Sequence, residues 1–284
     1  MISILIPTFN YNIVPLVNEL YKQVTKEKIN FEILVYDDGS ISDINKKNEA
    51  INTLNNCLFK VLPNNIGRSA IRNLLGQNAK YENLLFLDAD VFPFNKNFIK
   101  NYINHPTNNV VYGGIVQTNK PPKKPKKLRW IYTKKREQFI INSANFLISK
   151  DTFNQYSFDE SLKKYGCEDV CFFEVLINNN IQLNHINNPV VHYGNDNAKV
   201  FIKKTNQALE NLMLLIDENK ISINKYQVSK LHNKVSYLKL DFFISFVFKL
   251  IKPLLIINFN SSFPSLILYD FYRLGYFCTL KIKK

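Results

Sequence analysis

Four short apolar runs punctuate the first half of the chain, and the segments between them repeat their apolar positions every three to four residues. Residues 3–7, 31–36, 58–62 and 84–87 read as strands: mostly apolar stretches bounded by polar or turn-forming residues, with the unbroken run 84–87 the pattern of a buried parallel strand. Between them the period lengthens. Val17, Leu20, Tyr21 and Val24 form one helical stripe, with Asn12 as its predicted cap and Pro15 in its first turn. Ser42 or Asp43 opens a second helix carrying Ile44, Ala50, Ile51 and Leu54, and residues 66–77 form a third with Ala70, Ile71, Leu74 and Leu75 on one face. Strands alternating with helices predict a parallel sheet covered on both sides. The second half is less regular. Residues 110–116 and 140–148 read as strands around a Lys- and Pro-rich loop, 167–178 and 198–218 as helices, and 190–192 as a short strand end. From Leu240 the chain becomes strongly apolar (DFFISFVFKLIKPLLIINF), but Lys249, Lys252 and Pro253 interrupt it short of the ~20 apolar residues a membrane span needs. An interfacial amphipathic segment and a helical extension packed on the domain or on a second copy are both open readings.

Composition narrows the class. At 284 residues and 46% hydrophobic, with 22 Phe and 15 Tyr, the chain has material for a bulky core in one large α/β domain with an appendage, or in two small domains. Four scattered cysteines (Cys57, Cys167, Cys171, Cys278), with no His cluster to complete a zinc site, favour a reduced, cytoplasmic setting. The start MISILIPTFN lacks the basic segment and cleavage site of a secretory signal and reads as a first strand. The net charge of +14 concentrates in residues 120–136 (KPPKKPKKLRWIYTKKR), which alone suggests a basic nucleic-acid-binding protein. Acids at strand ends oppose that, because they repel phosphates unless a cation is present, and heavy Asn, Ile and Lys usage raises charge without any partner. No nucleic acid is expected.

The candidate chemistry lies in acids and arginines. Asp88 and Asp90 end the fourth strand, where open α/β sheets place ligands, and on a strand two positions apart they face the same way. Paired acids repel unless a cation or donor groups share the site, so a divalent metal carrying phosphates is the economical reading. Asp37 and Asp38 end the second strand, where acids commonly cap a helix or build a turn such as the DDGS loop. Arg68 and Arg72 share a helix face near its amino end, suited to a diphosphate or to ion pairs with nearby acids. Glu168 and Asp169 open a later helix, where acids are also simply good dipole partners. His192 follows a short apolar strand and reads as structural or as a ligand.

SILIPTFN, VYDDGS, NNIGRSAIRN and FLDAD, in this order and spacing, resemble the family 2 glycosyltransferases of GT-A fold. FDESLKKYGCEDVCFFEVL is similar to the acceptor-side signature of that family and of galactosyl- and N-acetylgalactosaminyltransferases. The resemblance covers roughly residues 1–195. It implies a GT-A, Rossmann-like mixed sheet flanked by helices over residues 1–197, with 1–90 the nucleotide-binding half and 91–197 the acceptor half, followed by a helical, apolar extension over 198–284. It places Pro7 and Thr8 at the nucleotide base, Asp38 on uracil, Arg68 on the donor nucleotide, Asp88 on ribose or metal-bound water, and Asp90 with His192 on Mn²⁺ or Mg²⁺. Asp169 becomes the general base and Glu168 the holder of an acceptor hydroxyl. The activity implied is inverting, metal-dependent transfer from a UDP-sugar, galactose-type by the GCED segment, to a glycan or lipid-linked acceptor in bacterial surface polysaccharide synthesis. Read from the residues themselves, the basic segment 120–136 is either a solvated loop or an acceptor contact in which Trp130 and Tyr132 stack a sugar and the cations hold a pyrophosphate-linked lipid or an anionic glycan. The setting expected is the cytoplasm, at the inner face of an anionic membrane, with a homodimer as one arrangement. A catalytically silent GT-A scaffold is the alternative within the same fold.

Overall fold

The structure, a computed structural model, describes residues 1–105, 110–137, 141–162, 165–194 and 196–282. In chain order the elements are β1 (Ile2–Thr8), α1 (Val14–Lys26), β2 (Phe31–Asp37), α2 (Ile44–Asn48), β3 (Cys57–Val61), α3 (Arg68–Asn78), β4 (Asn83–Leu87), β5 (Val91–Pro93), α4 (Phe98–Ile103), β6 (Val110–Tyr112) and β7 (Ile115–Gln117). There follow α5 (Lys127–Tyr132), β8 (Asn145–Ser149), α6 (Lys150–Gln155), α7 (Glu168–Asn178), β9 (Leu183–His185), β10 (Val190–His192), α8 (Ala198–Asp217), α9 (Gln227–Tyr237), α10 (Asp241–Phe259) and α11 (Leu266–Ile282). A 3-10 turn (Glu49–Thr53) follows α2 and a π turn (Thr133–Glu137) follows α5.

These elements form two compact units. The first takes residues 1–118, 137–163 and 168–194; the second takes 119–136, 164–167 and 195–284, so the Lys-rich segment belongs with the C-terminal helices rather than with the expected 1–197 block. In the first unit a seven-stranded sheet runs β3-β2-β1-β4-β8-β6-β9, and a three-stranded sheet runs β5-β10-β7. The first four strands are parallel, as the alternation predicts, while β8 is antiparallel to both β4 and β6. The sheet is therefore mixed. Strand alternation sorts the core. Ile4, Ile6, Leu85 and Leu87 face α1 with Val17 and Leu20. Leu5, Leu84 and Phe86 face the other side with Leu75, Phe146 and Phe172. Both faces of β1 and β4 are buried, which is why they read as apolar runs; each such side chain contributes about 1.5–3 kcal/mol by leaving water.

Several local expectations change. Asn12 does not cap α1 from the N-cap position, which Ile13 occupies; its side chain instead accepts from Val14 N–H at 3.3 Å. The second helix is α2 alone, tightening into the 3-10 turn before Leu54. The strand expected over 110–116 is two strands in different sheets, broken at Gly113-Gly114. Gly114 has φ +78°, and a Cβ on Gly113 would enter the space of Asn188, Asn145 and Tyr102. The strand expected over 140–148 begins only at Asn145, and residues 138–140 lie outside the described residues.

The second unit is helical. Leu128, Phe201, Ile202, Phe248, Phe259, Tyr269 and Tyr272 form its core. Trp130 is buried, and Tyr132 packs on Phe201 and Tyr269 with ring centroids 5.4 Å apart in each case. These aromatics build the unit's interior, which corrects the expectation that they offer stacking faces for a sugar. Gly166 (φ +94°) brings its backbone against Ala208 of α8. α10 runs unbroken through Pro253 for 19 residues and is long and apolar enough to cross a membrane by length and composition, although the apolar tail was expected to be interrupted there.

Candidate functional site

The site lies in the first unit, at the carboxyl ends of β1, β2 and β4. β4 ends at Leu87, so Asp88 and Asp90 sit on the turn that follows rather than side by side on a strand. They part company there. Asp88 takes Arg72 Nη2 at 2.6 Å and Arg68 Nη2 at 3.8 Å, while Asp90 lies 3.4 Å from His192 Nε2. Burial raises the Asp88 carboxyl, but Arg72 and Arg68 lower it further, and it ends below the usual carboxylate range.

Arg72 is buried and also donates to Arg68 O at 3.2 Å, with its guanidinium 5.5 Å from the Phe158 ring centroid. It is the structural pin of the Asp88 cluster. Arg68, the first residue of α3, is half-exposed and holds Glu168 Oε1 at 3.1 Å through Nε. One arginine thus joins the acid after β4 to the acids that open α7. Glu168 is buried, and its Oε2 has no hydrogen-bond partner. Beside it, Asp169 Oδ1 accepts from Val170 N–H at 2.8 Å. Burial, and then the Glu168 charge, push the Asp169 carboxyl up to about 6.

Asp38 is buried, and its two oxygens accept from Ile66 N–H (2.7 Å) and Gly67 N–H (3.0 Å), the residues that lead into α3. Its own N–H donates to Thr8 O at 2.9 Å, and the buried Thr8 hydroxyl has no partner. Pro7 pairs with Tyr36 in the β1–β2 register. Asp37, fully buried, holds Ser40 through N–H and hydroxyl at 2.7 and 2.8 Å, the turn role read from DDGS.

The Asp90–His192 pair fits a divalent cation. Two neighbouring ligands at about 2.1 Å from an octahedral ion lie ~3 Å apart, close to the spacing observed. His192 is buried with Nδ1 unpartnered, and Asp90 remains a third exposed. Among the described residues no third His, Cys or carboxylate joins this pair. His232, Asp241 and Cys278 in the second unit are the one three-residue group of metal-ligating type among the described residues. Gly194 seals the Asp90 pocket: a Cβ there would strike Asp90 Oδ2. Tyr193 N–H holds Asp90 O at 2.8 Å, and burial, then the Asp90 charge, raise the Tyr11 hydroxyl. The sequence reading missed Gly194, Tyr193 and Tyr11; the run His192-Tyr193-Gly194 was the only signal available. A concavity of about 290 Å³ lined by Asn101, Asn104, His105, Ile186, Asn187 and Asn188 contains none of these groups.

No curated protein sequence matches the chain. Solved structures resemble it. The Staphylococcus aureus TarS fragment 1–349 with UDP-GlcNAc aligns with TM-score 0.52 and 19% identity over 100% of this chain and 92% of that one. A mannosyltransferase of Pyrobaculum calidifontis with GDP-Man and Mn²⁺ aligns with TM-score 0.52 and 15% identity, over 76% of this chain and 64% of that one. GalNAc-T7 with UDP, GalNAc and Mn²⁺ aligns with TM-score 0.51 and 16% identity, over 68% and 43%. The chain spans 39% of the longer TarS structure. At these identities the likeness establishes the shared GT-A fold. Residues 3–162, more than half of the chain, match the sequence profile described as Glycosyl transferase family 2, and the chain belongs to that family.

Proposed function

We propose that the protein transfers a sugar from a UDP-sugar to a hydroxyl group with inversion, assisted by Mn²⁺ or Mg²⁺. The observation that carries this reading is the Arg68 bridge between Asp88 and Glu168, which sets a proton-accepting aspartate beside donor-side acids. Arg68 and the start of α3 favour the diphosphate, and Asp38 offers uracil N–H a second lone pair on an oxygen already fixed by the loop. Thr8, with its unpartnered hydroxyl, and Pro7 border the base. Asp88 meets the ribose. Asp90 and His192 hold the cation, which supplies charge neutralisation to the departing diphosphate.

Glu168 orients an acceptor hydroxyl through its unpartnered Oε2. Asp169 takes that proton as the oxygen forms its bond to the anomeric carbon. The bond from that carbon to the phosphate oxygen breaks on the opposite face, and its electron pair leaves with UDP, so the configuration inverts. The neighbouring structures that hold UDP-GlcNAc, or UDP with GalNAc, support a UDP-sugar donor. A galactose-type sugar and a glycan or lipid-linked acceptor of a bacterial surface polysaccharide, met in the cytoplasm, complete the reading.

The test is a screen of UDP-sugars for Mn²⁺-dependent turnover by the wild type, Asp90→Asn and Asp169→Asn. Asp90→Asn should lose metal-dependent donor binding, whereas Asp169→Asn should keep donor binding and lose transfer. Full turnover by Asp169→Asn would remove the base assignment; donor binding without turnover in the wild type would leave a silent scaffold.

A further inference from the structure

We propose that the second unit carries a docking face for an anionic lipid surface, built from the exposed stripe of α10 and the lysine-rich segment before α5. At 100° per residue, Phe242, Phe243, Phe246, Leu250, Leu254 and Ile257 fall within an arc of about 120° on α10. Each is 64–73% exposed. The opposite side of the helix is occupied. Phe248 and Phe259 pack on Tyr272 of α11, and the Ser245 hydroxyl meets that of Thr279 at 3.0 Å. Past the helix end, Phe263 (83%) and Ile267 (81%) are also exposed.

Folding then adds charge to this grease. Lys127 Nζ donates to Ser262 O at 2.7 Å and lies 5.0 Å from the Phe263 ring centroid, which anchors the lysine-rich segment at the end of the stripe. Lys123, Lys124 and Lys126, next in the chain, are exposed, and Lys249 and Lys252 are exposed along one flank of α10.

An apolar stripe bordered by lysines matches a bilayer interface, where acyl chains take the Phe and Leu side chains and acidic headgroups take the ammonium groups. A second copy fits less well: pairing this face with itself brings the same lysines together. A span fits less well too, because α10 presents apolar groups on one side only and its packing partner α11 carries Asp270 and Arg273. The helix therefore lies in the interface plane.

The inference does not depend on the donor chemistry, so the experiment measures the two separately. The full chain is sedimented with phosphatidylcholine vesicles, with and without phosphatidylglycerol, and UDP–Mn²⁺ binding is followed in the absence of lipid. Binding to phosphatidylglycerol vesicles at least about tenfold tighter than to neutral ones, weakening with salt, is expected. Phe246→Ser with Leu250→Ser should lose vesicle binding at least about tenfold, and Lys123→Glu with Lys124→Glu and Lys126→Glu should abolish the preference for phosphatidylglycerol. All these positions are on the surface, so UDP–Mn²⁺ binding should stay as in the wild type. Equal binding to both vesicle types, no binding to either, or a concentration-dependent dimer abolished by the Phe246→Ser, Leu250→Ser pair would each overturn the proposal. Failure of the UDP–Mn²⁺ arm alone would count against the transferase reading and leave the lipid face standing.

Discussion

An aspartate in the first turn of a helix is ordinarily ionised and welcomed by the helix dipole. Asp169 departs from this because burial and the neighbouring Glu168 charge raise its carboxyl to about 6. A base must be deprotonated to act, so kcat/KM should climb as pH rises through about 6 and level off above it. Glu168→Gln removes the second cause, and the limb should move to lower pH in a pH–rate profile. The stability effect has a definite sign. Between the ordinary carboxylate value and about 6 the folded state holds a proton that the unfolded state has released, so stability falls as pH rises through that window. Asp169→Asn should flatten that part of a Tm–pH curve. Asp88 runs the other way: its lowered carboxyl stabilises the fold above the ordinary value, and that contribution fades as pH falls. Arg72→Met should therefore cost about 3–5 kcal/mol in denaturant unfolding, because it strands a largely buried carboxylate. Gly194→Ala should weaken Mn²⁺-dependent UDP binding about tenfold by calorimetry, ~1.4 kcal/mol, since the new methyl displaces Asp90. The Arg72–Asp88 and Asp90–Gly194 contacts do not follow from spacing, because they join residues 16 or more positions apart.

Among the elements, β1 to β4 and the helices between them were legible because β1, β2 and β4 are buried on both faces, the edge strand β3 still carries an apolar run, and each helix is buried on one face. That burial writes a distinct period into a few neighbouring residues. β6 and β7 were not. The apolar letters of Val110, Val111, Ile115 and Val116 are those of one strand, and only the packing of Asn145 and Asn188 against Gly113 explains the break. Gly113→Ala should lower stability by about 1–3 kcal/mol, measurable as a drop in Tm, because the surrounding polar groups are buried and hydrogen-bonded. The turn after β4 teaches the same lesson. Two acids one residue apart were expected side by side on a strand, but the strand stops at Leu87, and Asp88 pairs with Arg72 while Asp90 lies by His192. In α10 the apolar run was expected to fall short of a span at Lys249, Lys252 and Pro253, yet the helix is long and apolar enough by length and composition, with Pro253 on its exposed side.

At the scale of the whole molecule the division of the chain differs from any single cut. A chain ending at residue 197 would retain Leu128, Trp130 and Tyr132 but lose Phe201 and Tyr269, on which Tyr132 packs. Such a truncation should aggregate or bind a hydrophobic dye where the full chain does not, and a clean monomer of residues 1–197 would refute this. Taken alone, the sequence was enough for the family, the alternating half of the sheet and the acids and arginines on which the proposed chemistry rests, because hydrophobic period and motif order are properties of neighbouring residues. Which carboxylate meets which arginine, why Trp130 and Tyr132 turn inward, and how the lysines reach Phe263 were settled only by folding. Those outcomes depend on contacts between residues tens to more than a hundred positions apart, and chain closure over such distances leaves no periodic trace in the local sequence.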